Sequence, residues 1–599
     1  MFQTFEVMAR PEQGPPRLAA LRAAMAAEGV ACWLVPRADA HQGEYVAPSD
    51  ERLSWLTGFT GSAGFAAVTA AEAGVFIDGR YRMQVTTQVA AEFTPVPWPE
   101  VKLADWLSER LKAGDVLGYD PWLHSAEEVA GLTAALAPKG IVLRATGNLV
   151  DRIWPDRPAP PMAAFSAYPD DFAGEAHAAK RALLGGELAK AGQAAAVLTL
   201  PDSIAWLLNI RGSDVPRNPV PQAFAVLHAD GRTDLYCRPG KADAVAAHLG
   251  EGVAVQAEAA FLPALAALTG PVRIDPKTAP EIVRATLAGA GVQVAEGADP
   301  CLLPKAQKNA TEIAGTKAAH LRDGAAMVSF LAWLDRTAPQ GGLTEIDVVR
   351  ELEGFRRATN ALRDISFETI SGAGPHGAIV HYRVSEATNR AVNPGELLLI
   401  DSGGQYLDGT TDITRTVTVG APPPDAAACY TRVMQGMIAV SRARFPRGVG
   451  GQHLDALARY PLWLAGQDYD HGTGHGVGVY LSVHEGPVGI SRRSVLPIAP
   501  GMILSNEPGY YREGAFGIRI ENLILAVEAL PLEGADKRDM LAFETLTFVP
   551  FDRRLIVVDM LTPGERAWVD AYHAQVLALI GPRVDGAALV WLRGACKPL

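Results

Sequence analysis

Hydrophobic and polar positions fall into two similar runs over the first half of the chain. The first begins near Arg17 with a helix-like stretch, LAALRAAMAAEGV, followed by strand-like ACWLVP. A polar loop carries Leu53 to Phe59 and then Gly61-Ser62, and GFAAVTAAEAGVFID reads as a pair of strands. The second run begins near Ala179 with helix-like RALLGGELAKAG and strand-like AAAVLTLP. It continues through Ala205 to Ile210, Gly212-Ser213 and the strands QAFAVLHADGRTDLYC. Trp55 precedes Ser62 by seven positions, and Trp206 precedes Ser213 by seven. Two copies about 150 residues apart predict a duplicated α/β domain and not a solenoid.

Punctuation then divides the chain. The Pro-rich stretch WPDRPAPPMAAF, Trp154 to Phe165, breaks regular structure between the two copies. A third region begins near residue 305, where Asn309 followed by Glu312 has the form of a helix cap with a capping box. The long helical pattern EIAGTKAAHLRDGAAMVSFLAWLDR follows, a second helix starts at Thr344, and strands then alternate with helices. The apolar run LLLID reads as a buried strand ending at Asp401, and Asp408-Gly409 marks a turn. The alternating DITRTVTV puts Asp412, Thr414, Thr416 and Thr418 on one face.

Composition narrows the function classes. A chain of 599 residues has room for two to four domains, and 48% apolar content excludes a disordered chain. The net charge of -12 argues against nucleic acid or an anionic membrane as partner. The start, MFQTFEVMARPEQG, lacks the basic segment and apolar run of a signal peptide, and no apolar run approaches the ~18 residues of a membrane span. Cys32, Cys237, Cys301, Cys429 and Cys596 are scattered and odd in number, as expected of reduced thiols in the cytoplasm.

The chemistry concentrates in the third region. Asp401, Asp412, His475, Glu507 and Glu521 are potential metal ligands. Singly, each has a plain reading as a strand-end cap, a turn residue or a hydrogen-bonding loop histidine. Jointly they are harder to explain without a cation, because Asp401, Glu507 and Glu521 adjoin apolar strand sequence and unpaired buried charge is costly. Four carboxylates balance two divalent ions, and an oxygen-rich set with one imidazole suits Mn²⁺, Co²⁺ or Fe²⁺. The segment HGTGHG lacks the ending of a phosphate loop, so its glycines are read as letting backbone approach the metals.

The stretches IDSGGQYLDGTTDITRT, HGTGHGVGVYLSVHEGP, NEPGYYREGAFGIRIEN and upstream IVHYR resemble the pita-bread metallopeptidases. The ligand order Asp, Asp, His, Glu, Glu is complete, with eleven positions between the aspartates and fourteen between the glutamates. RIWPDRP, IAWLLNIRGSDVPRNPV, FETLTFVPFD and LTPGERAWVDAYH are similar to the long, three-domain, cytosolic type of aminopeptidase P. The resemblance implies an α/β (α+β) chain with creatinase-like domains at 1–155 and 156–307. A pita-bread catalytic domain with a C-terminal extension would occupy 308–599.

It further implies that Asp401 binds one metal, His475 and Glu507 the other, and that Asp412 and Glu521 bridge both. Two ions ~3.5–4 Å apart would hold a hydroxide that attacks an Xaa-Pro carbonyl. Glu507 is then the general base, with His381 and His484 catalytic. His471, Arg519 and Tyr511 would line the substrate side, and Arg519 would also brace the carboxylates. Mn²⁺ is the expected ion, with Co²⁺, Fe²⁺ or Zn²⁺ as alternatives. Expected partners are peptides with proline second and another copy of the chain in a homodimer, with neither nucleic acid nor membrane. Prolidase activity and a non-enzymatic, partner-binding role stay open at this point.

Overall fold

The two runs fold into two six-stranded sheets of one topology. The first comprises β1 (Cys32–Pro36), β2 (Phe65–Thr69), β3 (Ala73–Ile77), β4 (Thr94–Pro97), β5 (Val116–Tyr119) and β6 (Val142–Ala145), in spatial order β4-β3-β2-β1-β5-β6. The second comprises β7 (Ala195–Leu198), β8 (Phe224–His228), β9 (Thr233–Cys237), β10 (Val253–Ala257), β11 (Val272–Ile274) and β12 (Val294–Glu296), in order β10-β9-β8-β7-β11-β12. Strand senses agree pair by pair. β1 and β7 each run antiparallel to one neighbour and parallel to the other, and the outer pairs β3/β4 and β9/β10 are parallel. The helices match as well: α1 (Gly14–Glu28) corresponds to α3 (His177–Lys190), and α2 (Arg52–Thr57) to α4 (Pro201–Leu208). Trp55 lies on α2 and Trp206 on α4, and each helix stops at a left-handed residue, Gly58 (φ 88) and Asn209 (φ 48).

The computed structural model describes all 599 residues. They form two compact units, Met8–Leu302, which holds both sheets, and Met1–Val7 together with Leu303–Leu599. The first seven residues thus pack with the C-terminal unit, whereas the sequence reading counts them in domain 1–155. The reason is local: Gln3 and Phe5 are buried against residues of the C-terminal unit.

In that unit α5 (Ala310–Thr337) starts at a capping box between Asn309 and Glu312, and α6 (Glu345–Arg357) at one between Thr344 and Asp347. β13 (Ile370–Ala373), β14 (Leu397–Ser402) and β15 (Ile413–Thr418) form an antiparallel sheet in that order, with Asp401 opposite Ile370 and Thr414. Helix α7 (Ala426–Ser441) packs on α8 (Gly451–Trp463). A second sheet follows, made of β16 (Arg444–Pro446), β17 (Gly474–Gly476), β18 (Glu485–Ile490), β19 (Ile503–Asn506), β22 (Asn522–Glu528) and β23 (Met540–Thr545). The hairpin of β20 (Gly509–Arg512) and β21 (Phe516–Arg519) lies in sequence between β19 and β22. The core gathers Met327, Leu398, Ile400, Tyr430, Met437, Ile518 and Tyr572.

The chain is thus mixed α/β, as expected. All five cysteines are buried and none is in a disulfide. No helix is long and apolar enough to cross a membrane.

Candidate metal centre

All four acidic residues sit where strands begin or end. Asp401 is one residue from the end of β14 and Asp412 immediately precedes β15. Glu507 follows β19, and Glu521 occupies the short gap between β21 and β22. Strand ends suit the task, because the ladder fixes the backbone while the side chain leaves the pleat. Glu507 N–H donates to Thr473 O at 2.8 Å and Glu521 N–H to Thr414 O at 3.1 Å, so each glutamate is tied to a neighbouring element.

Ligand atoms of Asp401, Asp412 and Glu521 lie within 4.8 Å of one another, as do those of His475, Glu507 and Glu521, and those of Asp412, His475 and His484. Five residues distant in sequence are therefore brought into one cluster, with His484 at its edge. The His475 and His484 rings meet edge to face at 4.2 Å.

Three observations show that the set fits divalent cations. First, Asp401 Oδ1, Asp412 Oδ1 and Glu521 Oε1 are buried with no hydrogen-bond partner, an arrangement that costs free energy unless a cation fills it. Second, burial and then the neighbouring carboxylates push Glu521 well above the usual carboxylate range. Burial likewise carries Asp401 up to about 6, although Arg519 opposes the shift. Third, His475 Nδ1 donates to Gly476 O at 3.0 Å, which leaves Nε2 3.5 Å from Asp412 Oδ2 and 3.4 Å from Glu507 Oε1. Burial alone would lower the His475 pKa, but Asp412 and Glu507 carry it up to about 9. A ring nitrogen held between two carboxylates marks a place for positive charge, which a bound cation would supply. Four oxygen donors and one imidazole match Mn²⁺, Co²⁺, Fe²⁺ or Zn²⁺ by donor type.

A second layer braces the cluster. Arg519 Nη2 donates to Asp401 Oδ2 at 2.6 Å, Nη1 to Tyr511 Oη at 2.6 Å and Nε to Thr414 Oγ1 at 3.2 Å. Thr414 Oγ1 in turn donates to Glu521 Oε2 at 2.8 Å. His471 Nε2 stands 2.8 Å from Tyr511 Oη. His471, Tyr511 and Arg519 therefore form one chain that ends on Asp401. Burial, opposed by Arg519, lifts the Tyr511 pKa to about 12, so the phenol keeps its proton. His381 is half-buried in the irregular segment before β14 and stands outside the three ligand groups. Tyr510 packs on the core through Phe516.

Two of the HGTGHG glycines, Gly474 and Gly476, are required by strand packing. A Cβ at Gly474 would stand 2.0 Å from Ser505 O and one at Gly476 2.3 Å from Glu485 O. These glycines let β17 fit between β18 and β19, where the ladder shifts register at His475/Gly476 and turns the imidazole into the cluster. Sequence reasoning also missed several supports. Ser505 Oγ accepts His475 N–H at 2.9 Å and donates to Glu507 Oε1 at 3.2 Å. On α8, Arg459 donates to His471 O and Tyr469 O at 2.6 Å, and Asp455 accepts from Thr473 at 2.6 Å. Of these, Ser505 alone had a readable signal, since it lies two residues from the candidate ligand Glu507, as Thr414 does from Asp412.

Comparison with known proteins gives this geometry a class. Residues 314–528 match metallopeptidase family M24 and 539–599 the C-terminal region of that peptidase. Residues 17–153 and 156–312 each match a creatinase/prolidase N-terminal domain, in line with the duplicated sheets. The chain is 40% identical over 585 residues to the probable Xaa-Pro aminopeptidase P of Neosartorya fischeri, covering 94% of this chain and 88% of that protein. It is 39% identical over 601 residues to the one from Laccaria bicolor, covering 97% and 93%. The solved X-prolyl aminopeptidase of Caenorhabditis elegans, described as a cytosolic enzyme with a di-nuclear active site, superposes with a TM-score of 0.93 at 34% identity over 98% of this chain and 99% of that one. The chain belongs to the Xaa-Pro aminopeptidase P family of metallopeptidases.

Proposed function

We propose that the protein removes the first residue from peptides with proline second, using two divalent ions. Asp401, Asp412, His475, Glu507 and Glu521 would hold them, with Asp412 and Glu521 shared. The convergence of three orphaned, buried carboxylate oxygens carries this reading. Bound ions would polarise the scissile carbonyl and acidify a water.

The chain's own groups supply the remaining steps. Glu507, half-exposed at the end of β19, takes the proton of the attacking water and passes it to the proline nitrogen as the C–N bond breaks. That nitrogen belongs to a tertiary amide without N–H, so it leaves only if a proton is delivered to it. His381 and His484 donate to the carbonyl oxygen as it gains charge. His471 and Tyr511 face the proline side, and Arg519 keeps Asp401 in place. A dimer in the cytoplasm, with Mn²⁺ as the working metal, completes the reading. The net charge of -12 suits neither nucleic acid nor an anionic surface as partner.

The test is direct. The protein is stripped with chelator, reloaded with Mn²⁺ and offered Arg-Pro-Pro, Arg-Ala-Ala and Ala-Pro. Metal-restored cleavage of Arg-Pro-Pro alone supports the proposal. Cleavage of Ala-Pro with refusal of Arg-Pro-Pro would make the enzyme a prolidase, and no metal-restored cleavage rejects both.

A further inference from the structure

We propose that the N-terminal segment Met1–Val7 is a positioning element of the active site, which fastens the loop carrying His381; the inference rests on the role of His381 proposed above. Burial alternates along the segment. Gln3 is 2% and Phe5 7% exposed, while Thr4 and Glu6 point to solvent. This period of two marks an extended ribbon with one inward face.

The inward face has specific partners. Thr369 N–H donates to Gln3 Oε1 at 2.8 Å and Gln3 Nε2 to Thr369 O at 3.2 Å, so one carboxamide satisfies both backbone groups of a residue next to β13. Phe5 packs in a cluster with Ile346, Val349, Ile370, Tyr382, Val384 and Leu399. Glu386 N–H donates to Phe5 O at 2.8 Å. Arg383 donates to Thr4 O and Glu6 O, both at 3.0 Å, and pairs with Glu368. Phe2 N–H donates to Glu353 on α6 at 2.8 Å, which ties down the start of the ribbon.

These contacts bracket His381. Tyr382, Arg383, Val384 and Glu386 follow it directly, and all four meet the ribbon. The segment between Ala378 and Leu397 holds no helix or strand, and its internal backbone bonds are local turns, such as Tyr382 N–H to Ile379 O at 3.0 Å and Asn389 N–H to Ser385 O at 2.8 Å, so contacts from outside the segment place it. From the other side, Tyr382 Oη donates to Glu345 Oε2 at 2.9 Å, and the same carboxylate binds His376 Nδ1 at 3.0 Å. Tyr382 is thus held between Phe5 and the buried Glu345. Losing the ribbon removes one jaw of this clamp and loosens the backbone that carries His381.

The test deletes residues 2–7 and reads bound metal per chain, kcat and KM on an Xaa-Pro peptide. The expected result is unchanged metal content with kcat down about 10- to 100-fold. Adding the free peptide MFQTFEV should restore the rate, and a scrambled peptide should not. Its second residue is phenylalanine, so the proposed activity does not consume it. Gln3→Ala and Phe5→Ala should show part of the loss, and Thr4→Ala none. In a His381→Ala background the deletion should cost nothing more, because both changes act through one side chain. A deletion with full kcat, or a loss that multiplies with that of His381→Ala, overturns the proposal. If the deletion does not fold, unchanged kcat in both Gln3→Ala and Phe5→Ala overturns it instead. Full activity in His381→Ala alone would remove the assigned role of that histidine, an outcome readable apart from the ribbon's own effect.

Discussion

Asp214 in the N-terminal unit and Asp401 in the C-terminal unit are both buried beside a cation, Lys241 and Arg519. Asp214 and Lys241 are fully enclosed, and Asp214 Oδ2 also accepts Gln222 N–H at 2.7 Å. Asp214 Oδ1 has no hydrogen-bond partner, but one carboxylate meets one ammonium and the local charge closes. Around Asp401 a single guanidinium faces four carboxylates, and three of their oxygens are left without partners. Burial of charge is common to both places. What separates a structural pair from a site is whether the charges close among themselves.

That comparison yields graded expectations. The largest effect belongs to Glu521→Ala. It should lower the metal count per chain and bring hydrolysis of Arg-Pro-Pro to background, by metal analysis and rate assay. Retained metal and rate would remove Glu521 from the ligand set. Asp214→Ala should do the reverse. Stability should fall by about 3–5 kcal/mol in a denaturant titration, because Lys241 is left buried and unpaired, while metal content stays intact. Loss of metal in that variant would break the distinction.

Arg519→Gln comes next. It withdraws the donors from Asp401, Tyr511 and Thr414 and should weaken metal affinity or activity about 10- to 100-fold, measured by chelator competition. The smallest effect is a pH slope. His573, on the helix Pro563–Ile580, accepts Phe551 N–H at 3.1 Å, and burial holds its pKa down at about 4. The unfolded chain protonates near about 6.5 while the folded one stays neutral, so stability is lost as pH falls between those values. The slope is at most about 1.4 kcal/mol per pH unit. His573→Gln should flatten it in urea midpoints taken from pH 4.5 to 7, with no change in bound metal. An unchanged slope would show that another group sets it.

Much of the fold was legible in the chain. The paired runs around Trp55 and Trp206 announced two sheets of one topology, because local periodicity and short turns decide such units. The capping boxes at Asn309 and Thr344 marked helix starts for the same local reason. The Asp401–Asp412 hairpin was readable too, since eleven residues and one turn place both carboxylates on adjacent strands. The HGTGHG glycines were legible as a need for small residues, but the neighbours that impose it at Gly474 and Gly476, Ser505 and Glu485, lie on other strands. The place of the first seven residues was not legible. Position in the chain suggests membership in the first domain, while Gln3 and Phe5 find their partners some 350 residues away.

Residue types, spacings and patterning alone determined the duplicated α/β halves, the order of the candidate ligands and the surplus of carboxylates over cations, as all three are properties of short stretches or of composition. Tertiary structure alone decided which carboxylate oxygens lose their partners, how Arg519 joins His471 and Tyr511 to Asp401, and where the first residues dock. Each of those depends on long-range contacts, and these exist only once the whole core has closed.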